Sequence, residues 1–89
     1  MTLDIDARGL LCPLPVLKLR KRLLALPQGA LVRLIATDPA AVIDVPHFCR
    51  EAGHSLIATE PQGNGATAYT VARGPAAAER AVKGSGEIG

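Results

Sequence analysis

The stretch LDIDARGLLCPLPV, residues 3–16, places a strand, a break and a helix start one after another. In its first five residues apolar side chains alternate with aspartates, which is the two-residue period of a half-buried strand. Gly9 interrupts this period, and a short loop leads to Cys12. A basic, leucine-rich run then continues to Leu26. The stretch therefore predicts a strand joined by a tight loop to a helix.

Cys12 lies where this helix is predicted to begin. Proline is favoured at the first helical position, where its missing N–H costs nothing, so Pro13 predicts that Cys12 is the N-cap. Pro15 then falls at the third helical position and removes a second donor. Only the N–H groups of Leu14 and Val16 would remain free in the first turn. The pattern predicts a stiff turn with an exposed sulfur, whereas the alternative is an inert, buried cysteine.

The helix N-terminus alone would lower the pKa of the Cys12 thiol only modestly. A helix dipole contributes roughly 0.3–1 kcal/mol at an exposed site, which is less than one pKa unit. Arg8 is the candidate cation that would lower the pKa further. Such a thiol is better suited to hold a second sulfur than to attack unaided, because a persulfide is more acidic than a thiol and would be anionic there.

The predicted first helix, residues 13–26, has one broad apolar face and one basic face. The apolar face comprises Val16, Leu17, Leu19, Leu23, Leu24 and Leu26. Helical spacing puts Arg20 inside this apolar arc, with its stem packed and its guanidinium at the edge. The basic face comprises Lys18, Lys21 and Arg22, which either dock a partner or are simply solvated.

The middle of the chain predicts a strand and a second helix. Residues 30–36 are apolar except for Arg33 and predict a central strand, with Val32, Leu34 and Ala36 towards the helices and Leu31, Arg33 and Ile35 on the other face. Asp38-Pro39 and Asp44-x-Pro46 each resemble a helix start, with the aspartate as N-cap; we expect a short turn at the first and a helix over 45–52 from the second. Cys49 falls on the apolar face of that helix and is expected to be structural. Gly53 ends it.

The last predicted elements are strands over 55–60 and 67–73, joined by a turn at 61–66. His47 and His54 fit no metal-ligand spacing and predict surface or capping roles, with no metal site. Residues 1–73 form the predicted domain and residues 74–89 a flexible tail. The order is βαβαββ, and right-handed crossovers place both helices on one face of a mixed four-stranded sheet, giving a two-layer α/β sandwich.

Composition excludes several classes of protein. Eighty-nine residues allow one small domain, and a net charge of +2 does not by itself indicate nucleic-acid binding. One tyrosine, one phenylalanine and no tryptophan leave little for stacking on unpaired bases. Two cysteines make no disulfide framework, and the chain shows neither a signal peptide nor a long apolar run. We expect a monomeric protein of the reducing cytoplasm that does not bind membranes.

Several motifs resemble the TusA/SirA/YedF family of small sulfur carriers. These are the Cys-Pro-x-Pro element at 12–15 with the strand before it, ATDPAA at 36–41, DVPHFCR at 44–50 and Gly53-His54. The resemblance runs from Leu3 to Arg73 without an obvious gap. It implies the same two-layer fold, with the last strand antiparallel inside the sheet.

The resemblance also implies a function. Cys12 would accept sulfane sulfur from a cysteine desulfurase or a rhodanese-like donor, hold it as a persulfide and pass it to a downstream acceptor protein. Gly9, Arg8, Pro13 and Pro15 would support this site, and no cofactor is implied. The implied end points are 2-thiouridine formation in tRNA, molybdenum-cofactor assembly or sulfur oxidation.

Two other classes of function stay open from the sequence. A regulatory or nucleic-acid-binding module would use the basic helix face, although this rests on fold analogy. A thiol-redox enzyme would need a second, resolving cysteine, which Cys-Pro-x-Pro lacks.

Overall fold

The computed structural model describes residues 2–75 and confirms the predicted order of elements. They are β1 (Thr2–Ala7), α1 (Leu14–Leu24), β2 (Leu31–Ala36), α2 (Ala41–Ala52), β3 (Ser55–Gly63) and β4 (Ala66–Ala72). All but the first two residues of the predicted tail, 74–89, lie outside the described residues.

The four strands form one mixed sheet in the order β1-β2-β4-β3. β1 and β2 are parallel, and β4 is antiparallel to both of its neighbours, which confirms the predicted place of the last strand inside the sheet. Along β2 the side chains of Val32, Leu34 and Ala36 are buried, while the residues between them are partly exposed. α1 packs on β1 and β2, and α2 packs on β3 and on α1. The two-layer sandwich is therefore confirmed.

One apolar core lies between the helices and the sheet. Each of its members is at most 2% exposed: Ile5, Ala7, Leu19, Leu23, Val32, Leu34, Ala36, Ala41, Val45, Cys49, Tyr69 and Val71. Both helices contribute to it, as do β1, β2 and β4. It fixes the positions from which the loops at one edge of the sheet project.

The buried face of α1 is narrower than predicted. Pro15, Leu19 and Leu23 repeat every fourth residue and are buried. Leu17 and Leu24, predicted on the apolar face, are about half exposed and lie at its edge. Arg20 is exposed as well. Leu17, Arg20 and Leu24 share one flank of α1. The sheet below the helix does not cover this flank.

α2 begins four residues earlier than predicted. The turn at Asp38 leads directly into the helix, because Ala41 N–H donates to the Asp38 carbonyl at 3.0 Å. Asp44 therefore lies inside the first turn, and the prediction that it is the N-cap was wrong. Pro46 lies within the helix and has no N–H for the Val42 carbonyl, but Val42 is exposed to solvent. Gly53 ends the helix in the left-handed conformation, as predicted.

The hairpin is tighter than predicted. β3 continues through Pro61 to Gly63, and only Asn64 and Gly65 form the turn. Both have positive φ, 53° and 77°, which suits the two-residue turns that match strand twist. Pro61 is tolerated because β3 is an edge strand.

The end of β4 is fastened to both helices by polar contacts. Arg73 Nε donates to the Leu23 carbonyl at the end of α1, at 2.7 Å. The Gly74 N–H donates to Nδ1 of His54 at 2.8 Å, directly after α2. His54 is buried, so the predicted surface role was wrong; its ring accepts the N–H of Gly74 after β4.

Candidate functional site

Two loops meet at the carboxyl ends of β1 and β2. The strands are parallel with Ala7 opposite Ala36, so the chain leaves both at the same edge of the sheet. Across this gap the Gly9 N–H donates to Thr37 Oγ1 at 2.9 Å, and the Cys12 N–H donates to Asp38 Oδ2 at 2.6 Å. The loop that carries Cys12 is thus held at two points by the loop that follows β2.

Gly9 is required by the shape of this loop. Its φ is 81°, a conformation that residues with a Cβ seldom adopt. The Leu10 N–H turns back to the Ala7 carbonyl at 3.2 Å, so the chain reverses directly after β1. The loop therefore begins with a tight turn that aims the next residues across the sheet edge.

Cys12 precedes the helix rather than capping it. α1 begins at Leu14, with Pro13 at the N-cap, so the predicted placement of both residues was wrong by one position. The cause is an extra turn, in which the Leu14 N–H donates to the Leu11 carbonyl at 2.8 Å. Leu14 N–H is consequently not free, contrary to the prediction. The Cys12–Pro13 peptide bond is cis.

Asp38 links the cysteine loop to α2. One carboxylate oxygen accepts the Cys12 N–H, and the other accepts the Ala40 N–H at 3.2 Å. The second bond closes the turn that leads into α2. A single carboxylate thus sets the position of the loop relative to the start of the second helix.

Cys12 opens onto a groove between the two helices. The groove has a volume of about 340 Å³ and is lined by Cys12, Pro13, Val16, Asp44, His47, Phe48 and Glu51. The thiol is exposed, as predicted. Its surroundings are thus acidic and apolar at once, with the carboxylates contributed by α2.

These surroundings raise the pKa of Cys12. The thiol donates a hydrogen bond to the Asp44 carboxylate, which is the main cause, and partial loss of solvent and the charges of Asp44 and Asp38 act in the same direction. The sulfur is therefore a thiol at neutral pH.

The cation that the sequence placed beside Cys12 is engaged elsewhere. Arg8 Nε donates to Asp6 Oδ1 at 2.9 Å, and Nη2 donates to the other oxygen at 3.1 Å. These bonds lower the pKa of Asp6 to about 2. Lys18 Nζ donates to the Asp6 carbonyl at 2.7 Å. Arg8 and Lys18 therefore converge on Asp6, and Arg8 is not among the groups that shift the pKa of Cys12.

The remaining basic residues of α1 face solvent. Lys21 and Arg22 lie in its last turn and are exposed. Closer to Cys12, Leu11, Leu14 and Leu17 are 68%, 49% and 49% exposed. The surface near the cysteine is thus apolar, and the cationic part of the helix lies further along it.

Cys49 has the opposite environment. It is 2% exposed, within the core face of α2, as predicted. Burial raises its pKa to about 11. This thiol is inert while the fold is intact, because the thiolate is the reactive form.

Residues 2–75 contain no group of three or more side chains arranged to hold a metal ion. Over the same range, no helix is both long and apolar enough to span a membrane.

Five groove residues were missed by sequence reasoning as site residues. They are Val16, Asp44, His47, Phe48 and Glu51. Asp44 had been assigned a capping role, and His47 and Glu51 are one turn apart on α2, which puts them on one face. The predicted order of elements could have indicated these residues. Because β1 and β2 are parallel, the loop that carries Cys12 and the start of α2 lie at the same edge of the sheet.

Comparison with known proteins agrees with this arrangement. The sequence model of the family described as "Sulfurtransferase TusA" matches residues 3–73. "Sulfur carrier protein TusA" of Pseudomonas savastanoi pv. phaseolicola is 39% identical over 77 residues, 84% of this chain and 90% of that protein. The protein of the same name from Pseudomonas syringae pv. syringae is 44% identical over 59 residues, 66% of this chain and 70% of the relative.

A solved structure shares the fold. The SirA-like protein from Desulfitobacterium hafniense superimposes with a TM-score of 0.73 at 25% identity, over 84% of this chain and all of the other.

Proposed function

This chain belongs to the TusA family of sulfur carriers, and from that membership we propose that Cys12 carries sulfane sulfur as a persulfide and delivers it to an acceptor protein thiol. The observation that supports the proposal best is the contrast between the two cysteines. Cys12 is exposed on a loop fixed at two points, whereas Cys49 is buried. A carrier needs one accessible sulfur at a defined position, and a second reactive thiol would release the load as a disulfide.

The proposed cycle moves one sulfur atom without net oxidation. The Cys12 thiolate attacks the outer sulfur of a donor persulfide, a new S–S bond forms, and the donor sulfur leaves as a thiolate that takes up the proton. Cys12 then holds the outer sulfur. In the second half, an acceptor thiolate attacks that sulfur, and Cys12 leaves and is protonated again.

The donor in this proposal is a cysteine desulfurase or a rhodanese-like protein, because both present sulfur as an enzyme persulfide. The acceptor is a protein thiol that serves tRNA 2-thiouridine formation, molybdenum-cofactor assembly or sulfur oxidation. The membership of the family supports donors and acceptors in general. Identifying one acceptor requires transfer from the loaded carrier to each candidate.

The surface around Cys12 suits transient protein contact. Leu11 and Leu14 are exposed beside the sulfur, and Lys21 and Arg22 extend the surface along α1. Apolar side chains at the centre and charges at the rim are typical of such interfaces. We assign the partner contact to this region, with Lys18, Lys21 and Arg22 steering the approach.

The test is to load two variants with a persulfide donor and weigh the products. Cys12→Ser should fold normally, because its side chain is exposed, and should gain no sulfur. Cys49→Ser should lose about 1–3 kcal/mol of stability by burying a hydroxyl, yet its folded fraction should gain one sulfur atom. Sulfur on Cys12→Ser, or none on folded Cys49→Ser, would refute the assignment.

A further inference from the structure

Asp44 lies in the first turn of α2, where its charge suits the helix dipole but its side chain caps no backbone N–H. Its carboxylate lines the groove that Cys12 also lines. Asp38, by contrast, uses both oxygens on backbone N–H groups. Cys12 and Asp44 line the same groove, and hydrogen bonding to the Asp44 carboxylate is the main cause of the raised pKa of the Cys12 thiol.

We propose that Asp44 restrains the Cys12 thiol in the free carrier, and that a docking sulfur donor releases it by placing a basic side chain against this carboxylate. The proposal rests on the proposed function and adds the chemistry of the donor surface. Asp44 is in this sense a positioning residue, because it acts through the reacting sulfur and takes no part in the bonds that form and break.

The charges around the sulfur favour a cation supplied from outside. Asp38, Asp44 and Glu51 are the carboxylates at the groove and its rim, and His47 is the titratable base among the groove residues. Arg8 and Lys18, the cations nearest along the chain, both contact Asp6. The groove is therefore complementary to a guanidinium or ammonium group.

Neutralising Asp44 would make the sulfur more reactive. A carboxylate that accepts the thiol proton stabilises the protonated form, and its charge disfavours the thiolate. A partner cation that pairs with Asp44 removes both effects, so the thiol proton passes to solvent. The thiolate then attacks the outer sulfur of the donor persulfide, and the departing donor thiolate takes up a proton. Sulfur would thus load when a matching donor is docked and slowly from small donors in solution.

The first experiment measures the rate of Cys12 alkylation by iodoacetamide from pH 6 to pH 10, with mass spectrometry to locate the label. Asp44→Asn should move the midpoint to lower pH and speed the reaction at pH 7. The increase should be about three- to fourfold for each unit by which the pKa falls, because the thiolate fraction rises tenfold while its nucleophilicity falls.

Matched variants separate this effect from general charge. Glu51→Gln removes the same charge from the same groove and should leave the midpoint unchanged, as should His47→Gln. Asp44→Glu keeps the charge and should retain the slow reaction. If the pH midpoint of alkylation shifts equally in Asp44→Asn and Glu51→Gln, or shifts in neither, the proposal that Asp44 restrains the thiol is refuted.

The second experiment supplies the cation in a donor. Two synthetic peptides carry a cysteine persulfide and differ only in a neighbouring arginine or its uncharged analogue citrulline. The arginine peptide should load the wild-type protein faster, and the ratio should fall towards one in Asp44→Asn while persisting in Glu51→Gln.

The role of Asp44 and the proposed carrier function can fail separately in these experiments. If neither peptide loads Cys12 in any variant, the carrier function fails, while the alkylation profile still decides whether Asp44 restrains the thiol. If both peptides load the wild-type protein equally, the carrier function stands and the proposed role of a partner cation is refuted.

Discussion

The backbone N–H of Cys12 and the Asp38 carboxylate are 2.6 Å apart, although 26 positions separate them in the chain. This bond joins the loop after β1 to the loop after β2, and the same carboxylate closes the turn into α2. The Cys12 loop is thus positioned by the Asp38 side chain, which accepts a hydrogen bond from the Cys12 backbone.

Removing this link should loosen the cysteine loop. Asp38→Ala removes the acceptors of two N–H groups and should cost about 1 kcal/mol, since both groups can turn to water. Amide hydrogen exchange at Cys12 should become faster, while exchange in β4 stays unchanged. Asp38→Asn keeps one acceptor oxygen and should give an intermediate result. Unchanged exchange at Cys12 in Asp38→Ala would contradict the arrangement.

Arg8 should act on Asp6 and leave Cys12 unaffected. In the wild-type protein the Asp6 carboxyl should titrate at about 2, and in Arg8→Gln its pKa should rise towards the ordinary 3.8, because two guanidinium bonds are lost. Carboxyl-carbon NMR measures this change. The alkylation rate of Cys12 should be the same in both proteins. A slower reaction in Arg8→Gln would return Arg8 to the role predicted from sequence.

Cys49 should make stability sensitive to alkaline pH. Its folded pKa of about 11 lies above the value near 8.5 of an unfolded thiol, so the folded state keeps a proton that the unfolded state loses. The stability contributed by this thiol is complete below pH 8.5 and declines towards pH 11, by about 1.4 kcal/mol for each pH unit between the two.

Urea unfolding at a series of pH values tests this dependence. Cys49→Ala should be less stable at neutral pH, and its stability should fall less steeply above pH 8.5. Val45→Ala, on the same buried face of α2, removes no titratable group and is the matched control; its stability should fall as steeply above pH 8.5 as that of the wild-type protein. Parallel curves for the wild-type protein and Cys49→Ala would show that the thiol is not protected by burial.

Gly74 should tolerate no side chain. A Cβ at this position would collide with the Gly53 carbonyl oxygen at the end of α2, and neither backbone can move freely. Gly74→Ala should therefore cost about 2–3 kcal/mol in thermal or urea unfolding. Gly29→Ala meets open space and carries only the penalty of its positive φ, about 1 kcal/mol. Equal stability of Gly74→Ala and the wild-type protein would show that Gly74 does not lie close to the Gly53 carbonyl.

Charge reversal on α1 should slow partner exchange without unfolding the protein. Lys18, Lys21 and Arg22 replaced by Glu should reduce the association rate with a sulfur donor, most strongly at low salt, because steering acts over the Debye length. Arg50→Glu, an exposed site on α2, is the matched control. Stopped-flow transfer rates that do not depend on salt in any variant would assign these charges to solvation.

Periodicity was enough to predict the elements, because it reflects burial on one side of a sheet. Along β2 the alternation of Val32 and Leu34 with partly exposed neighbours holds residue by residue. On α1 the same reasoning failed for Leu17 and Leu24, because helical spacing reports which residues share a face and not how wide the cover is. The sheet and α2 together cover α1, and the flank that carries Leu17 and Leu24 remains in solvent.

The site was less predictable than the fold. Cys12 was identified correctly as exposed, but the carboxylate that raises the pKa of its thiol lies 32 positions away, in a residue that local rules assigned to a helix cap. Pro46 produced that error, since prolines are commonest in a first turn. Only the parallel pairing of β1 with β2 shows that Asp44 and Cys12 face one groove.

The central position of β4 affects how the protein folds during its synthesis on the ribosome. β4 is the last described strand to be synthesised, yet it joins β2 to β3, and β3 pairs with no other strand among residues 2–75. A nascent chain that ends before Ala66 presents β2 with an open hydrogen-bonding edge, which can pair with other chains. The sheet closes in one late step, through contacts distant in sequence, which are slow to form. The Cys12 loop is therefore synthesised early and acquires its supporting sheet late.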